Sequence, residues 1–322
     1  MPEADTQTRA GSAMPRSRLR VYWYLLPLLL GPLLFLLTAF FLLPTRWFAY
    51  HSRDIWLESI GYGDKLQNVN CQILVYGDST AEVGVDPGLM ERSTGLKTCN
   101  IAQPEGLNLL SQNIVLDRYL SHNTSPRFIL FLFAAEDFNP AAARKDHGLF
   151  EAITYRMRDN DKFPVLLQLM RHPEDYFRWS YVGLHMALDG FLRMREAHDR
   201  EDVREQRKGQ LKIDESQMTR CTDSNRLNPP DKNWAAALRS RYARPNTTIL
   251  VYAMPLPSCD PGILRVQQQL QRVTDAPVQQ LPANVFYSDG SHVNAAGSAM
   301  LSEMLSQQVL QRMQSRPMEA GQ

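Results

Sequence analysis

The sequence predicts an α/β domain with a parallel sheet between two helical layers, a helical insertion, and one membrane-spanning helix ahead of it. Three observations carry that expectation. Short, nearly continuous apolar runs recur at Ile73–Tyr76, Thr98–Ala102, Phe128–Ala134 and Thr248–Ala253, with helical patterns between several of them. Runs of this kind suit parallel strands buried on both faces, and strand–helix alternation implies right-handed crossovers. Between about 140 and 245 the strand signals disappear, over a stretch too long for an ordinary loop. Finally, residues 21–43 carry no charge at all.

Taken in order, residues 1–20 form a polar tail containing Arg9, Arg16, Arg18 and Arg20. Residues 21–44 follow as the expected anchor, because 23 uncharged residues reach roughly 35 Å as a helix, enough for a bilayer core. Pro27, Gly31 and Pro32 are costly in a soluble helix but tolerated in membrane helices. Aromatic residues stand at both ends, Tyr22, Trp23 and Tyr24 before and Trp47 and Tyr50 after, as in interfacial belts. The arginines before the span predict a cytoplasmic N-terminus, with everything after residue 44 on the far side. The apolar run is longer than a signal-peptide core and lacks a small-x-small cleavage site. Residues 45–68 read as a juxtamembrane connector, and residues 69–317 as the extracytoplasmic domain.

Within that domain, residues 107–120 place Leu107, Leu110, Ile114 and Tyr119 near one helical face; residues 262–273 and 294–314 also read as helices. The stretch 195–212 is nearly all charged or polar, which usually marks a solvated helix face, and no function is assigned to it. With 35 basic and 34 acidic residues the formal charge is +1, so no basic face argues for nucleic acid. Four cysteines, Cys71, Cys99, Cys221 and Cys259, fit an exported compartment; Cys71–Cys99 with Cys221–Cys259 is the preferred pairing, and buried free thiols are the alternative. No metal-ligand spacing, phosphate-binding loop or cofactor motif occurs.

The chemistry is expected at two distant points. The first strand candidate ends in Gly77-Asp78-Ser79. A serine there is either a helix N-cap or a hydroxyl aimed out of the C-terminal edge of the sheet, where open α/β folds bind ligands. A nucleophilic serine needs a base and a group to orient that base. His292 is the histidine with a patterned partner: in SDGSHVN, Asp289 precedes it by three residues on a glycine-containing turn. Such a turn can hold the carboxylate against one ring nitrogen and free the other for a hydroxyl. The competing reading is an exposed loop histidine, with Asp289 as turn former and Asn294 as a helix cap.

A strand-terminal GDS early in an α/β domain, combined with D-x-x-H before its last helix, resembles the SGNH (GDSL-like) hydrolase superfamily. That resemblance implies a flavodoxin-like sheet and acyl transfer through an acyl-serine. Ser79 would be the nucleophile, His292 the base and Asp289 its orienting partner. The Ser79 backbone N–H and Gly106 in NIAQPEG would form the oxyanion hole, with Asn139 as a further candidate donor. The family's third block carries an asparagine in G-x-N-D, whereas this chain has Ala134-Ala135-Glu136-Asp137, so Glu136 falls at that position. Asp78, Asn100 and Glu136 are the candidate substrate contacts.

Together with the anchor, these motifs resemble the exported SGNH-like proteins that assist polysaccharide O-acylation beside a membrane-bound O-acyltransferase. The resemblance implies a single-pass protein of the bacterial inner membrane, facing the periplasm or exterior, with polysaccharide and the acyltransferase as partners. The competing function is a catalytically degenerate domain that binds glycan or holds such a complex together.

Overall fold

The computed structural model describes residues 16–45, 47–48, 55–104, 113–139, 153–154, 156–157, 162–192, 204–213, 216–218 and 220–315. Its centre is a parallel sheet of four strands, β1 (Ile73–Gly77), β2 (Thr98–Asn100), β3 (Phe128–Phe133) and β4 (Thr248–Ala253), in the order β2-β1-β3-β4. All four expected strands are present. Ile73 lies beside both Thr98 and Phe128, and Phe128 beside Thr248, so the strands start level and end along one edge.

Alternation along the strands divides the core in two. Leu74, Tyr76, Ile129, Phe131 and Val251 face one side, and Ile73, Val75, Leu130, Leu132 and Leu250 the other. The first face packs on α5 (Ile114–His122) through Val115, Leu116 and Tyr119, and on α8 (Lys232–Tyr242) through Leu238 and Tyr242. The second packs on α3 (Ser79–Gly84), α4 (Pro87–Thr94) and α10 (Ala295–Ser315) through Ala81, Met90, Leu301, Leu305 and Val309. A sheet buried on both faces explains why its strands read as unbroken apolar runs. A separate two-strand parallel pair, β5 (Leu256–Pro257) and β6 (Gln280–Leu281), flanks α9 (Ile263–Leu270). Of the helix expected over 107–120, residues 107–112 lie outside the described residues.

The N-terminal segment forms α1 (Arg16–Leu42), with Pro27 and Pro32 inside it. Among the described residues, however, no helix is long and apolar enough to cross a membrane; the side chains of residues 16–25 and 29 lie outside them. The fold therefore carries the expected anchor no further than a helix. Its C-terminal part packs on the domain: Ala39 and Leu43 are buried, the Phe35 and Phe177 rings lie 6.0 Å apart, and Tyr176 donates to the Leu36 carbonyl. The connector contributes α2 (Ile55–Lys65).

The insertion contains α6 (Lys162–Arg171), α7 (Pro173–Leu192) and α8. Two disulfides are present, Cys71–Cys99 and Cys221–Cys259, in the preferred pairing. The first joins the starts of two adjacent strands, and the second ties the insertion to the loop after β5. Both are consistent with an oxidising, exported location.

Candidate active site

The site begins where β1 stops. Gly77 lies so close to β3 that a Cβ there would meet the Leu132 carbonyl oxygen at 1.7 Å, so the turn closes only with glycine. Asp78 then caps α3: its Oδ1 accepts from the Thr80 N–H at 2.9 Å, the Ala81 N–H at 3.3 Å and the Thr80 hydroxyl at 2.5 Å. Its Oδ2 accepts from the Ala134 N–H at 2.5 Å, across the sheet edge. The cap at this strand end is thus Asp78 and not Ser79. Ser79 occupies the first helical position, half-buried, with its hydroxyl free of capping.

The hydroxyl meets a histidine from the other end of the chain. His292 Nε2 lies 3.0 Å from Ser79 Oγ, and His292 Nδ1 lies 2.5 Å from Asp289 Oδ2. The other carboxylate oxygen accepts the Ser291 and His292 N–H groups at 2.8 and 2.9 Å. Burial alone would push Asp289 upward, but hydrogen bonds from the His292 ring and from these two N–H groups outweigh it. The carboxyl is held below its ordinary range. An ionised Asp289 is an acceptor only, so Nδ1 carries the ring proton and Nε2 presents its lone pair to Ser79. Ser79, His292 and Asp289 thus form one hydrogen-bonded chain. Asn294 also caps α10, accepting from Ala296 and Gly297.

Other candidate residues land elsewhere. Gly106 lies outside the described residues. Asn100 is buried and structural: its Nδ2 donates to the Ala81, Glu82 and Val85 carbonyls, and its Oδ1 accepts from Ala102. It closes the end of α3 against β2. Asp78 is likewise buried with both oxygens engaged. Neither presents its side chain to a substrate, because both satisfy backbone groups that the turn after β1 leaves open. Asn139 donates to the Pro229 carbonyl at 2.7 Å, tying the short helical turn at Ala135–Phe138 to the insertion. Glu136 is exposed and lines a cleft of about 310 Å³, bordered also by Thr222, Asp223, Met254, Asp289 and Ser291. Among the described residues no group of His, Cys, Asp or Glu could hold a metal ion.

Two supports have no local signal in the sequence. Glu82, one turn beyond Ser79 and fully buried, accepts from Ser59 at 2.6 Å and pairs with Arg204 at 2.8 Å. Burial pushes this carboxyl up, against the pull of Arg204 and Ser59. The insertion also braces the turn that carries Asp289 and His292. Gln217 bridges Tyr287, Met218 donates to the Phe286 carbonyl, and Ser288 donates to the Ser216 carbonyl. Gly290 closes the turn at φ +71°, with Thr222 against the position a Cβ would take.

Comparison with known protein families, curated proteins and solved structures finds no match for this chain.

Proposed function

We propose that the protein is an SGNH-like serine acyltransferase or esterase that works through an acyl-serine on an exported polysaccharide. The observation that carries this reading is the relay from Asp289 through His292 to Ser79 at the C-terminal edge of a parallel sheet. The strand order reverses between β1 and β3, and Ser79 stands directly after β1 at that switch point, where open α/β sheets bind ligands. The order is that of the first four strands of a flavodoxin-like sheet.

In this mechanism Ser79 Oγ attacks the acyl carbonyl while His292 Nε2 takes its proton. Asp289 steadies the imidazolium, and the Ser79 N–H, which has no intrahelical acceptor, faces the developing oxyanion. Collapse of the intermediate expels the leaving oxygen with the proton from His292 and leaves the acyl group on Ser79. An acceptor hydroxyl, or water, then attacks by the reverse sequence. The cleft beside Asp289 and Ser291 offers room for that acceptor.

The anchor belongs to the same proposal. It is supported by the uncharged run 21–43 and by the exposed Leu26, Leu28, Leu33, Leu34 and Leu37 of α1. Two disulfides favour the oxidising side of a bacterial inner membrane. By resemblance, the partner there is a membrane-bound O-acyltransferase.

One feature favours a second reading, a degenerate glycan-binding or scaffold domain: Glu136 stands where the family places an asparagine, and an ionised carboxylate donates nothing to an oxyanion. Two measurements separate the readings. Full-length protein in detergent should release acyl groups from an activated ester, with release lost in Ser79→Ala. Equal rates in variant and parent would end the catalytic reading, and retained complementation by a Ser79→Ala/His292→Ala double variant would establish the scaffold.

A further inference from the structure

Of the charged stretch 195–212, residues 195–203 lie outside the described residues, and the remainder is not a free solvated face. Residues 204–213 form a strap pinned across the nucleophile helix. Arg204 pairs with buried Glu82, the Asn100 N–H donates to the Lys208 carbonyl at 3.0 Å, and the Leu211 N–H donates to the Glu82 carbonyl at 3.1 Å. Gln210 donates to the Val83 carbonyl and to Ser298 Oγ, and Tyr287 donates to the Ile213 carbonyl. Two of its cations are spent on carboxylates, Arg204 on Glu82 and Lys208 on Glu91. Arg207 and Lys212 are not.

These two, with Arg92 of α4, line one groove of about 410 Å³. Among the described residues none of the three makes an ion pair or a side-chain hydrogen bond. The one carboxylate in the lining is Asp86, which accepts the Leu89 N–H to cap α4. The groove therefore carries three cations against one acid. It also adjoins the relay: Val83 in its wall is one helical turn past Ser79, and Val293 follows His292. Two cations on a strap with this much backbone pinning, and a third on α4, outnumber the one acid and make a receptor for negative charge.

We propose that this groove is a subsite for an anionic saccharide, binding its carboxylate or phosphate groups while a neighbouring unit reaches Ser79. The proposal rests on the acyl-serine reading for its purpose, but not for its test. The strap delivers Arg207 and Lys212, α4 delivers Arg92, and the N-terminal end of α10 closes the far wall through Asn294, Ala295 and Ser298.

Binding to full-length protein in detergent is measured calorimetrically with three probes: a tetragalacturonate, an oligomeric glycerol phosphate and a neutral cellotetraose. One or both anionic probes should bind at least about tenfold more tightly than the neutral one, since a hydrogen bond to a charged group is worth that much or more. Arg92→Gln, Arg207→Gln and Lys212→Gln should each weaken that binding about tenfold, and raising salt from about 0.1 M to about 1 M should abolish the preference. Which anionic probe binds assigns carboxylate or phosphate. Equal affinity for all three probes, or anionic binding that none of the three substitutions weakens, overturns the subsite. Melting temperatures of the variants verify that each is folded. Because binding is read without turnover, the groove stands or falls separately from acylation of Ser79.

Discussion

The Asp78 carboxylate accepts the Ala134 N–H at 2.5 Å while its other oxygen caps α3. One side chain thus fixes the start of α3 to the end of the neighbouring strand. Asp78→Ala leaves several donors in a dry turn without an acceptor, at ~1–3 kcal/mol for each unsatisfied group. Melting temperature and ester turnover should fall together. Ser79→Ala, in contrast, should lose turnover by about a thousandfold or more with melting nearly unchanged.

Asp289 yields a pH-dependent outcome. Its carboxyl is held below the unfolded value, so its contribution to stability is present above the unfolded carboxylate range and is lost as pH falls through the folded value. Asp289→Asn should flatten that acid limb in thermal melts recorded across pH. The same variant loses the ionised acceptor that sets the His292 tautomer, and turnover should fall about 10⁴-fold.

The Glu82–Arg204 pair behaves with the opposite sign. Burial makes folded Glu82 hold its proton more tightly than the unfolded chain does, so its contribution is fully present below the unfolded carboxylate range and declines as pH rises through the folded value. Arg204→Met removes the compensating cation and should cost about 3–5 kcal/mol near neutrality, with a steeper decline toward high pH. A Glu82→Gln/Arg204→Met double variant should recover most of that loss. Denaturant titrations at several pH values distinguish the three proteins.

Gly290→Ala should damage the site more than the fold. A side chain at φ +71° costs about 1–3 kcal/mol, and its Cβ would also meet Thr222 Cγ2 at 2.2 Å. Turnover should drop at least tenfold, and Gly290→Ala/Thr222→Ser should recover only the portion due to the clash. Steady-state rates for the two variants make the comparison.

Removing the Cys221–Cys259 crosslink should loosen the brace on that turn. The disulfide spans 38 residues, for which chain entropy alone suggests about 4 kcal/mol. A Cys221→Ser/Cys259→Ser variant should melt lower and lose activity at temperatures where the sheet remains folded, seen by comparing circular dichroism with turnover.

The parts legible in the sequence were those written locally. Phe128–Phe133 announces a strand because both its faces are buried and every residue is apolar. The D-x-x-H turn is readable because Asp289 reaches His292 within a single turn. What stayed hidden was written across distance. Ser79 competes with its own neighbour for the cap, and only the geometry assigns that duty to Asp78. Glu82 and Arg204 are 122 residues apart, with no periodicity to pair them. The charged stretch 195–212 reads as solvated, yet over 204–212 much of the pinning is by backbone groups, which leave no trace in residue type. The anchor expected over 21–43 is legible as an uncharged run, but the described residues carry only a helix there.

The antiparallel bridge between Gln217 and Tyr287 has a consequence for how such a chain could be redesigned. An insertion between two strands ordinarily invites deletion or exchange. Here residues 216–218 are the seat on which the histidine's turn rests. Cutting them out would keep the sheet, the serine and every letter of SDGSHV, yet take away the surface that positions His292. The two ends of the relay can be copied from the sequence, but its alignment has to be borrowed from the middle.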